Sequence, residues 1–398
     1  MDPQAYRGDF PGLETTVNGH RLVYLDNAAT TQKPVQVLDT AREALERPGN
    51  PGRGSHRLSQ EAQQRVEDAR ATVASFIGAG NGDIVFTHNA TDSINQLARS
   101  LTHYTSGNIV ATAADHHGNY LPWKEAARRE GLEFREVAVD SDGSIDMDDL
   151  AAKVDSETRV LAFPHACNVT GTVFDVEKIL EIGEKADYTV MDAAQSVPDM
   201  PVDLDGLGVD FAALSPHKML APFGTGVLYG RDSLLDETRP TRFGGGMVTD
   251  PATLQYRDAP ERHEAGTVDL GGIAGTAAAV DYLQDIGMDE LHRHVQGLAR
   301  ELHQRLAGID GVQPLGDQPD TGTVSVTVDG IHSHDLADFL DRHGIATRAG
   351  DHCSKPLLQA LEVGDALRFS FYLYNTKEEL EKAEERFSDA LEEIPRVQ

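Results

Sequence analysis

The sequence predicts an α/β protein, with a mostly parallel sheet covered by helices on both faces and a smaller α+β domain at the C-terminus. Three observations lead to this prediction. Short apolar runs alternate with segments of helical length through most of the chain. Small polar residues follow the carboxyl ends of several of these runs. With 398 residues, the chain is long enough for a large domain and a smaller one.

Residues 1–20 are polar and rich in turn formers, and we expect them to form an arm that packs with the small domain. The large domain is predicted over 21–283. Its strands are predicted at 21–25, 83–87, 108–112, 133–139, 159–163, 188–191, 209–214 and 226–229. Its helices are predicted at 34–47, 59–76, from 91 onwards, and at 120–130, 148–153, 176–186 and 272–286. Pro34 suits the start of the first helix, and Ser59 suits the cap of the second.

The small domain is predicted over 284–398. A long amphipathic helix at 288–308 leads into it from the large domain. The strands predicted after this helix are 323–328, 345–348 and 367–370. The helices predicted there are 333–342, 355–360 and 376–393. Mixed short strands and helices of this kind indicate an α+β arrangement.

Residues that could bind a ligand follow the predicted strands at their carboxyl ends, which is where open α/β sheets bind ligands. These residues are Thr91, His116, Asn168, Asp192 and the run Ser215–Lys218. A lysine with a lowered pKa can form a Schiff base with an aldehyde cofactor. Thr91 lies at a turn before a helix, a typical phosphate site. Taken alone, the lysine motif is more typical of a surface loop, but the agreement of several segments favours a site.

Composition excludes several other classes of protein. The formal net charge is −30 and the pI is about 4.8, which argues against binding nucleic acid or an anionic membrane. No apolar run approaches the roughly 20 residues that span a bilayer, and no secretory signal is visible, so we expect a cytoplasmic protein. The two cysteines do not form a disulfide framework. The dispersed acidity suggests a halophilic, salt-rich cytoplasm. No metal site is predicted.

Five segments carry a resemblance to a known family. Asp192–Gln195 and Ser215–Lys218 together resemble the pyridoxal-phosphate enzymes of fold type I, in the class V aminotransferase branch. Residues 24–34 resemble the opening of the SUF-type cysteine desulfurases and selenocysteine lyases. Residues 347–353 resemble the catalytic-cysteine loop of those enzymes, and 368–376 their substrate-arginine strand. The resemblance covers nearly the whole chain.

The resemblance implies a seven-stranded sheet, pyridoxal 5′-phosphate as cofactor, and a homodimer with shared sites. Lys218 would bind the aldehyde covalently and then move the Cα proton of the substrate. Asp192 would pair with the pyridinium nitrogen, Gln195 with the ring oxygen, and His116 would stack on the ring. The residues implied to hold the phosphate are Thr91, Ser215, His217 and, from the partner subunit, Thr267. His116 also counts among the implied catalytic residues, with Lys218 and Cys353.

Asn168, Arg348 and Arg368 are the residues implied to bind the substrate, because an arginine fork suits an α-carboxylate. Cys353 lies in a loop of polar and small residues, so we expect it to be exposed. Arg348, His352 and Lys355 are expected to favour its thiolate. The resemblance implies that L-cysteine becomes L-alanine with a persulfide left on Cys353. A sulfur-acceptor protein and iron–sulfur cluster assembly would follow, and L-selenocysteine would fit the same residues.

Two alternatives remain open at this point. One is a class V enzyme without persulfide transfer, such as an aminotransferase, an epimerase or another C–S lyase. The other is a non-catalytic sulfur relay or scaffold, which the presence of Lys218 and Asp192 disfavours. The sequence departs from the family pattern at Asp351, where a histidine is usual, and at Pro216, where a glycine is usual. Cys167 stands where a serine is common.

Overall fold

A seven-stranded sheet forms the centre of the larger part of the molecule. The structure is a computed structural model, and it describes residues 1–52, 54–103 and 106–396. The strands of the described residues are β1 Thr16–Val17, β2 His20–Arg21, β3 Val23–Tyr24, β4 Asp83–Thr87, β5 Asn108–Thr112, β6 Glu133–Val137, β7 Thr158–Pro164, β8 Tyr188–Asp192, β9 Phe211–Leu214, β10 Gly226–Gly230, β11 Val248–Asp250, β12 Gln255–Tyr256, β13 Val312–Pro314, β14 Thr323–Val328, β15 Ile345–Ala346, β16 Arg348–Gly350 and β17 Ala366–Ser370.

The helices surround this sheet and continue into the C-terminal part of the chain. They are α1 Gln4–Arg7, α2 Val35–Glu46, α3 Arg57–Phe76, α4 Ala90–Ser100, α5 His117–Glu130, α6 Met147–Lys153, α7 Val176–Gly183, α8 Leu204–Leu207, α9 Leu234–Glu237, α10 Leu270–Ile286, α11 Met288–Ala307, α12 Ser333–Arg342, α13 Lys355–Ala360 and α14 Lys377–Glu393. A short 3₁₀ turn, Pro216–Lys218, follows β9. No helix in the described parts of the chain is both long and apolar enough to cross a membrane.

The strand order of the large sheet is β4-β10-β9-β8-β7-β5-β6. Only β10 runs against its neighbours, because it pairs antiparallel with both β4 and β9. The other pairs, from β9 to β6, are parallel. The predicted fold class, a mostly parallel sheet with helices, is therefore confirmed. Since the parallel strands end at the same edge, their carboxyl ends and the loops after them converge.

Successive residues of the central strands pack into different cores. In β5, Val110 belongs to one hydrophobic core while its neighbours Ile109 and Ala111 belong to the other, and all three are buried. In β8, Met191 and Val190 divide in the same way. Strand side chains alternate between faces, so both faces of this sheet are covered and the strands read as continuous apolar runs.

The C-terminal part of the chain contains an antiparallel sheet of order β13-β14-β17-β16, counted over the described residues. Helices α11, α12 and α14 contribute to the core beside it. Val23 and Leu25 pack into this same core, and β3 pairs in parallel with β15. In the N-terminal arm, Arg7 donates to the carbonyl of Tyr374. The domain boundaries after residues 20 and 283 stay a prediction.

Several local predictions need correction. Ser59 does not cap its helix: α3 begins at Arg57, and the imidazole of His56 accepts from the amide of Ser59, so the cap lies three residues earlier. The strand predicted at 345–348 is two separate strands, β15 and β16. The two- and three-residue strands β1, β2, β11, β12 and β13 were not predicted, because pairs this short carry no detectable alternation of polarity.

Candidate active site

A cavity of about 330 Å³ lies where the carboxyl ends of the large sheet meet the loop before α13. Its lining residues are Ala28, Ala29, Asn89, Ala90, Thr91, His116, Pro164, Ala166, Asn168, Asp192, Ala194, Gln195, Ser215, His217, Lys218, Arg348, His352, Cys353 and Arg368. All the predicted site residues except Thr267 line this cavity. Segments more than 300 residues apart in sequence are thus brought together at one site.

Lys218 ends the 3₁₀ turn that follows β9. The surrounding protein removes water from the amine, and this burial lowers the pKa of Lys218 to about 8; the negative charge of Asp192 opposes the effect. An amine with this pKa is unprotonated in an appreciable fraction of molecules near neutral pH. Lys218 is therefore suited to attack an aldehyde.

Asp192 is the last residue of β8, and its side chain is buried. Burial raises the pKa of this carboxyl, while the amide of Ala194, which donates to Oδ1 at 2.9 Å, and the charge of Lys218 lower it. Gln195 donates from Nε2 to the carbonyl of Ala28 at 3.0 Å. A carboxylate held at the end of a buried strand can hold a proton on a heterocyclic nitrogen.

The N-terminus of α4 forms one wall of the cavity. The side chain of Asn89 caps this helix by accepting from the amide of Asp92 at 2.8 Å. The amide of Ala90 donates to Oγ of Ser215 at 3.0 Å, which links the helix to the turn that carries Lys218. Thr91 lies on the first turn of the same helix. Amide groups and hydroxyls at a helix N-terminus favour a phosphate group.

Lys33 contacts the lysine turn through the backbone of His217. The ring of His217 stacks on Phe223, with ring centroids 5.4 Å apart. Nζ of Lys33 donates to the carbonyl of His217 at 2.7 Å and to the carbonyl of Thr31 at 2.6 Å. Burial lowers the pKa of Lys33 to about 7. Lys33 thus holds the backbone immediately before Lys218.

His116 is the N-cap of α5, and its Nδ1 accepts from the amide of Gly118 at 2.9 Å. Burial and the neighbouring charge of Lys218 lower the pKa of His116 to about 3. The imidazole is therefore neutral at physiological pH. A neutral aromatic ring can stack on a planar cofactor without carrying a charge into the site.

These groups fit pyridoxal phosphate. The site offers an amine with a lowered pKa (Lys218), a buried carboxylate (Asp192), a neutral ring (His116) and a helix N-terminus with hydroxyl groups at one end (Thr91, Ser215). An aldehyde, a pyridine nitrogen, an aromatic ring and a phosphate are the matching parts of that cofactor.

Arg368 lies in β17, and its side chain is only 3% exposed. Nη1 donates to the backbone carbonyl of Asn168 at 2.9 Å, and Nε has no acceptor among the described residues. Burial lowers the pKa of Arg368 to about 10, although Asp26 opposes this shift, and the guanidinium stays charged at neutral pH. A buried, incompletely satisfied guanidinium is suited to bind a carboxylate.

The side chain of Asn168 clamps the cysteine loop. Its Nδ2 donates to the carbonyl of His352 at 3.0 Å, and its Oδ1 accepts from Oγ of Ser354 at 2.9 Å. Only one amide hydrogen and one lone pair therefore remain for a substrate. The predicted substrate-binding residue thus has a structural task that sequence reasoning did not detect.

Cys353 is exposed and lines the cavity. The loop that carries it is held in an unusual conformation, with φ of 51° at His352 and 56° at Cys353. The amide of Cys353 donates to Oδ1 of Asp351 at 3.0 Å, and its carbonyl accepts from the amide of His117 at 2.6 Å. This left-handed backbone is costly for residues other than glycine, so the hydrogen bonds around it fix where the thiol is presented.

The expectation that His352 supplies positive charge to the thiol is wrong. His352 is buried, and its ring Nε2 lies 2.9 Å from the carbonyl of Ala366. Burial and the positive charge of Arg368 lower the pKa of His352 to about 3. The ring is therefore neutral and bonds within the small sheet, so it holds the loop in place and adds no charge.

Thr267 lies outside the cavity and is exposed, with Oγ1 at 3.4 Å from Oδ1 of Asn50. Its predicted contact with the phosphate in a partner subunit stays a prediction. Sequence reasoning missed three residues around the site: Asp26, Lys33 and Asn89. Asn89 precedes a helix and is a detectable N-cap signal. Asp26 and Lys33 contact residues more than 180 positions away, and no local pattern reveals those contacts.

Comparison with known proteins agrees with this geometry. The family described as "Aminotransferase class-V" matches residues 23–383. The chain is 43% identical to a "Probable cysteine desulfurase 2" of Mycobacterium leprae, over 96% of this chain and 95% of that protein. It is 40% identical to a "Cysteine desulfurase" of Haloferax volcanii, again over 96% of this chain and 95% of that protein.

Two solved structures are also similar over almost their full length. The apo structure of a cysteine desulfurase from Thermococcus onnurineus has a TM-score of 0.92 at 34% identity, with 99% of both chains covered. The cysteine desulfurase CsdA (S-sulfonic acid) from Escherichia coli has a TM-score of 0.90 at 31% identity, covering 99% of this chain and 100% of that one. The likeness therefore includes both the large sheet and the C-terminal part.

Proposed function

This chain belongs to the aminotransferase class-V family and is a cysteine desulfurase, and we propose that it converts L-cysteine to L-alanine while Cys353 accepts the sulfur as a persulfide. The observation that carries the proposal is the position of Cys353. Its loop lines the same cavity as Lys218. Cys353 follows β16 of the small sheet, whereas Lys218 follows β9 of the large sheet. An aminotransferase or epimerase has no need of an exposed thiol at this place.

Pyridoxal phosphate is the proposed cofactor. When bound, it supplies an aldehyde for an amine and a ring that withdraws electrons from the substrate Cα. Lys218 would hold the aldehyde end, Asp192 the ring nitrogen and Gln195 the ring oxygen, with His116 against the ring. The residues proposed for the phosphate end are Thr91, Ser215, His217 and the partner subunit's Thr267.

Arg368 is proposed to bind the α-carboxylate of L-cysteine, because its guanidinium lines the cavity and its Nε has no acceptor among the described residues; Asn168 and Arg348 line the same cavity. This fixes the substrate with its Cα towards Lys218. Nζ of Lys218 then removes the proton from Cα, a task for which its pKa of about 8 is suited.

Sulfur transfer is assigned to Cys353. Its thiolate attacks the sulfur of the substrate, so that an S–S bond forms as the Cβ–S bond breaks. The electron pair of the broken bond stays with the carbon skeleton, which takes up protons and leaves as L-alanine. The sulfur remains on Cys353 as a persulfide. The exposure of Cys353 allows an acceptor protein to reach that sulfur.

We further propose a cytoplasmic homodimer that supplies sulfur for iron–sulfur cluster assembly and that also accepts L-selenocysteine as a substrate. Thr267 supports the dimer, because it is exposed and lies away from the cavity of its own chain. The net charge of −30 supports a salt-rich cytoplasm.

The decisive experiment measures L-alanine and sulfide in the same reaction. L-cysteine is the substrate, and a reductant is present. Wild-type protein should form both in equal amounts. Cys353→Ala should lose at least about 100-fold in rate, because no other thiol of the described residues lines the cavity. Cys167→Ala is the matched control: Cys167 is buried and absent from the cavity lining, and this variant should retain its rate. Unchanged turnover in Cys353→Ala would instead select a class V enzyme without persulfide transfer.

A further inference from the structure

The first residue of α5 contacts the loop that carries Cys353. The backbone amide of this residue, His117, donates to the carbonyl of Cys353 at 2.6 Å. The side chain of His117 reaches further along the same loop, because its Nε2 accepts from the backbone amide of Lys355 at 3.2 Å. One histidine therefore binds the loop backbone both at the thiol residue and two residues after it.

The imidazole of His117 supplies a cap that α13 lacks within its own segment. This helix begins at Lys355, and the side chain of its N-cap residue, Ser354, accepts no hydrogen bond from the helix. The hydroxyl of Ser354 donates instead to Oδ1 of Asn168 at 2.9 Å. The first amides of a helix have no partner inside the helix, so an acceptor from another segment can satisfy them. His117 fills this place for the amide of Lys355.

Two side chains from the large sheet's connections hold alternate positions of the loop. Asn168 donates to the carbonyl of His352 and accepts from Oγ of Ser354. His117 binds at Cys353 and at the position after Ser354. Because φ is positive at His352 and Cys353, this backbone conformation depends on its partners. Loss of one partner should widen the range of positions that the thiol samples.

The side chain of His117 stands beside the site rather than in it. His116 lines the cavity, whereas His117 is absent from its lining, and the centroids of the two rings are 6.5 Å apart. The start of α5 has its own cap, because Nδ1 of His116 accepts from the amide of Gly118. Removal of the His117 imidazole should therefore leave His116 in place and act on the cysteine loop alone.

We propose that His117 is a positioning residue for sulfur transfer: its imidazole fixes the loop so that the thiol of Cys353 stays aligned with the sulfur of the substrate. The inference rests on the proposed function, in which Cys353 accepts that sulfur. His117 takes no part in bond formation. Because rates depend steeply on the alignment of reacting atoms, its contribution should appear in kcat and not in substrate binding.

Two substitutions that differ by one methylene group test this proposal. In His117→Gln the side-chain oxygen stands three bonds from Cβ, as Nε2 does in histidine, and it can still accept from the amide of Lys355. In His117→Asn the oxygen stands only two bonds from Cβ and falls short. For L-alanine formation from L-cysteine, His117→Asn should lower kcat about tenfold with KM within about twofold, whereas His117→Gln should keep kcat within about threefold.

Two measurements on the holoenzyme do not depend on turnover. Hydrogen exchange with mass spectrometry reports on the amide of Lys355, which should exchange about fivefold faster in His117→Asn than in wild type or His117→Gln. Calorimetry gives the Kd of L-alanine, which should change less than about twofold in both variants. Weaker binding of L-alanine in His117→Asn would show a general disturbance of α5 and overturn the proposal.

His343→Asn is the matched control. The imidazole of His343 also binds a helix end, with Nδ1 at 2.9 Å from the carbonyl of Phe339, but His343 does not line the cavity. This variant should keep the wild-type kcat and the wild-type exchange at Lys355. His117→Ala also lacks the acceptor, and it replaces His117→Asn, with the same losses expected, if the asparagine variant does not fold.

Unchanged kcat and unchanged exchange at Lys355 in the variants that lack the acceptor overturn the proposal, and so does an equal loss of kcat in His117→Asn and His117→Gln. If wild-type turnover still requires Cys353, either result overturns this inference alone. A wild-type protein whose turnover does not require Cys353 overturns the proposed function as well.

Discussion

Lys33 shows how a single side chain can support a site without touching it. Its amine donates to the carbonyl of His217, the residue before Lys218, and lies over the ring of Phe223 at 5.2 Å from the centroid. Burial lowers the pKa of Lys33 from 10.5 to about 7. A lysine in this environment is mostly neutral above pH 7 in the folded protein, but it is charged in the unfolded chain.

The pKa of Lys33 predicts how stability depends on pH. Between about 7 and 10.5 the unfolded chain binds more protons at this position than the folded protein, so this contribution to stability rises with pH. From pH 7.5 to 9.5 the free energy of unfolding should rise by about 2 kcal/mol more in wild type than in Lys33→Met. Urea unfolding at both pH values measures this difference.

Lys178→Met serves as the control for the pH experiment, because Lys178 lies on the surface in an ion pair with Asp175. It should follow the wild type over this range. A parallel pH dependence in wild type and Lys33→Met would show that Lys33 is charged in the folded protein.

At the scale of elements, the loop between β16 and α13 is the part of the fold that delivers the thiol. Gly350, His352 and Cys353 all have positive φ, at 121°, 51° and 56°. Each non-glycine residue in this region costs about 1 kcal/mol or more, so the loop needs fixed partners. Asp351 provides one of them, because its carboxylate accepts from the amide of Cys353.

A pair of variants tests this support. Asp351→Ala removes the acceptor for the Cys353 amide, and we expect the rate of sulfide formation to fall about fivefold, which corresponds to about 1 kcal/mol for one hydrogen bond. Asp351→Asn keeps an acceptor oxygen and should stay within about twofold of wild type. If both variants lose activity equally, the charge of Asp351 matters and the hydrogen bond does not.

At the scale of the whole molecule, the dominant feature is a formal net charge of −30. Many of the surface arginines form ion pairs, such as Arg128 with Glu125 and Arg342 with Asp338. The 65 acidic residues outnumber the 35 lysines and arginines, so these pairs leave a large excess of negative charge. Salt screens repulsion between exposed charges, since the Debye length falls from about 10 Å at 0.1 M to about 3 Å at 1 M.

The melting temperature should therefore rise by about 5 °C or more between 0.1 M and 2 M KCl. Differential scanning calorimetry of the holoenzyme measures the shift, and an equal osmolality of sucrose controls for excluded-solute effects. A melting temperature independent of KCl would contradict the salt-rich cytoplasm that we propose.

The sequence determined the class of fold and most of the candidate site. Alternating strands and helices fixed the parallel sheet, and residues following the strand ends, such as Asp192 and Lys218, marked the cofactor end of the cavity. These features are readable because they depend on local patterns: a strand, a turn and a helix start lie next to each other in the chain.

Only the tertiary structure decided the remaining contacts. It placed Asp26 on Arg348, joined Asn168 to the loop of Cys353, and showed that the ring of His352 is neutral. Each of these depends on residues brought together by folding over more than 180 positions, or on burial that removes water from a charged group. Contacts between distant residues and the loss of water on burial cannot be read from the local order of residues. The charged state of groups in the site can therefore be assigned only from the folded structure.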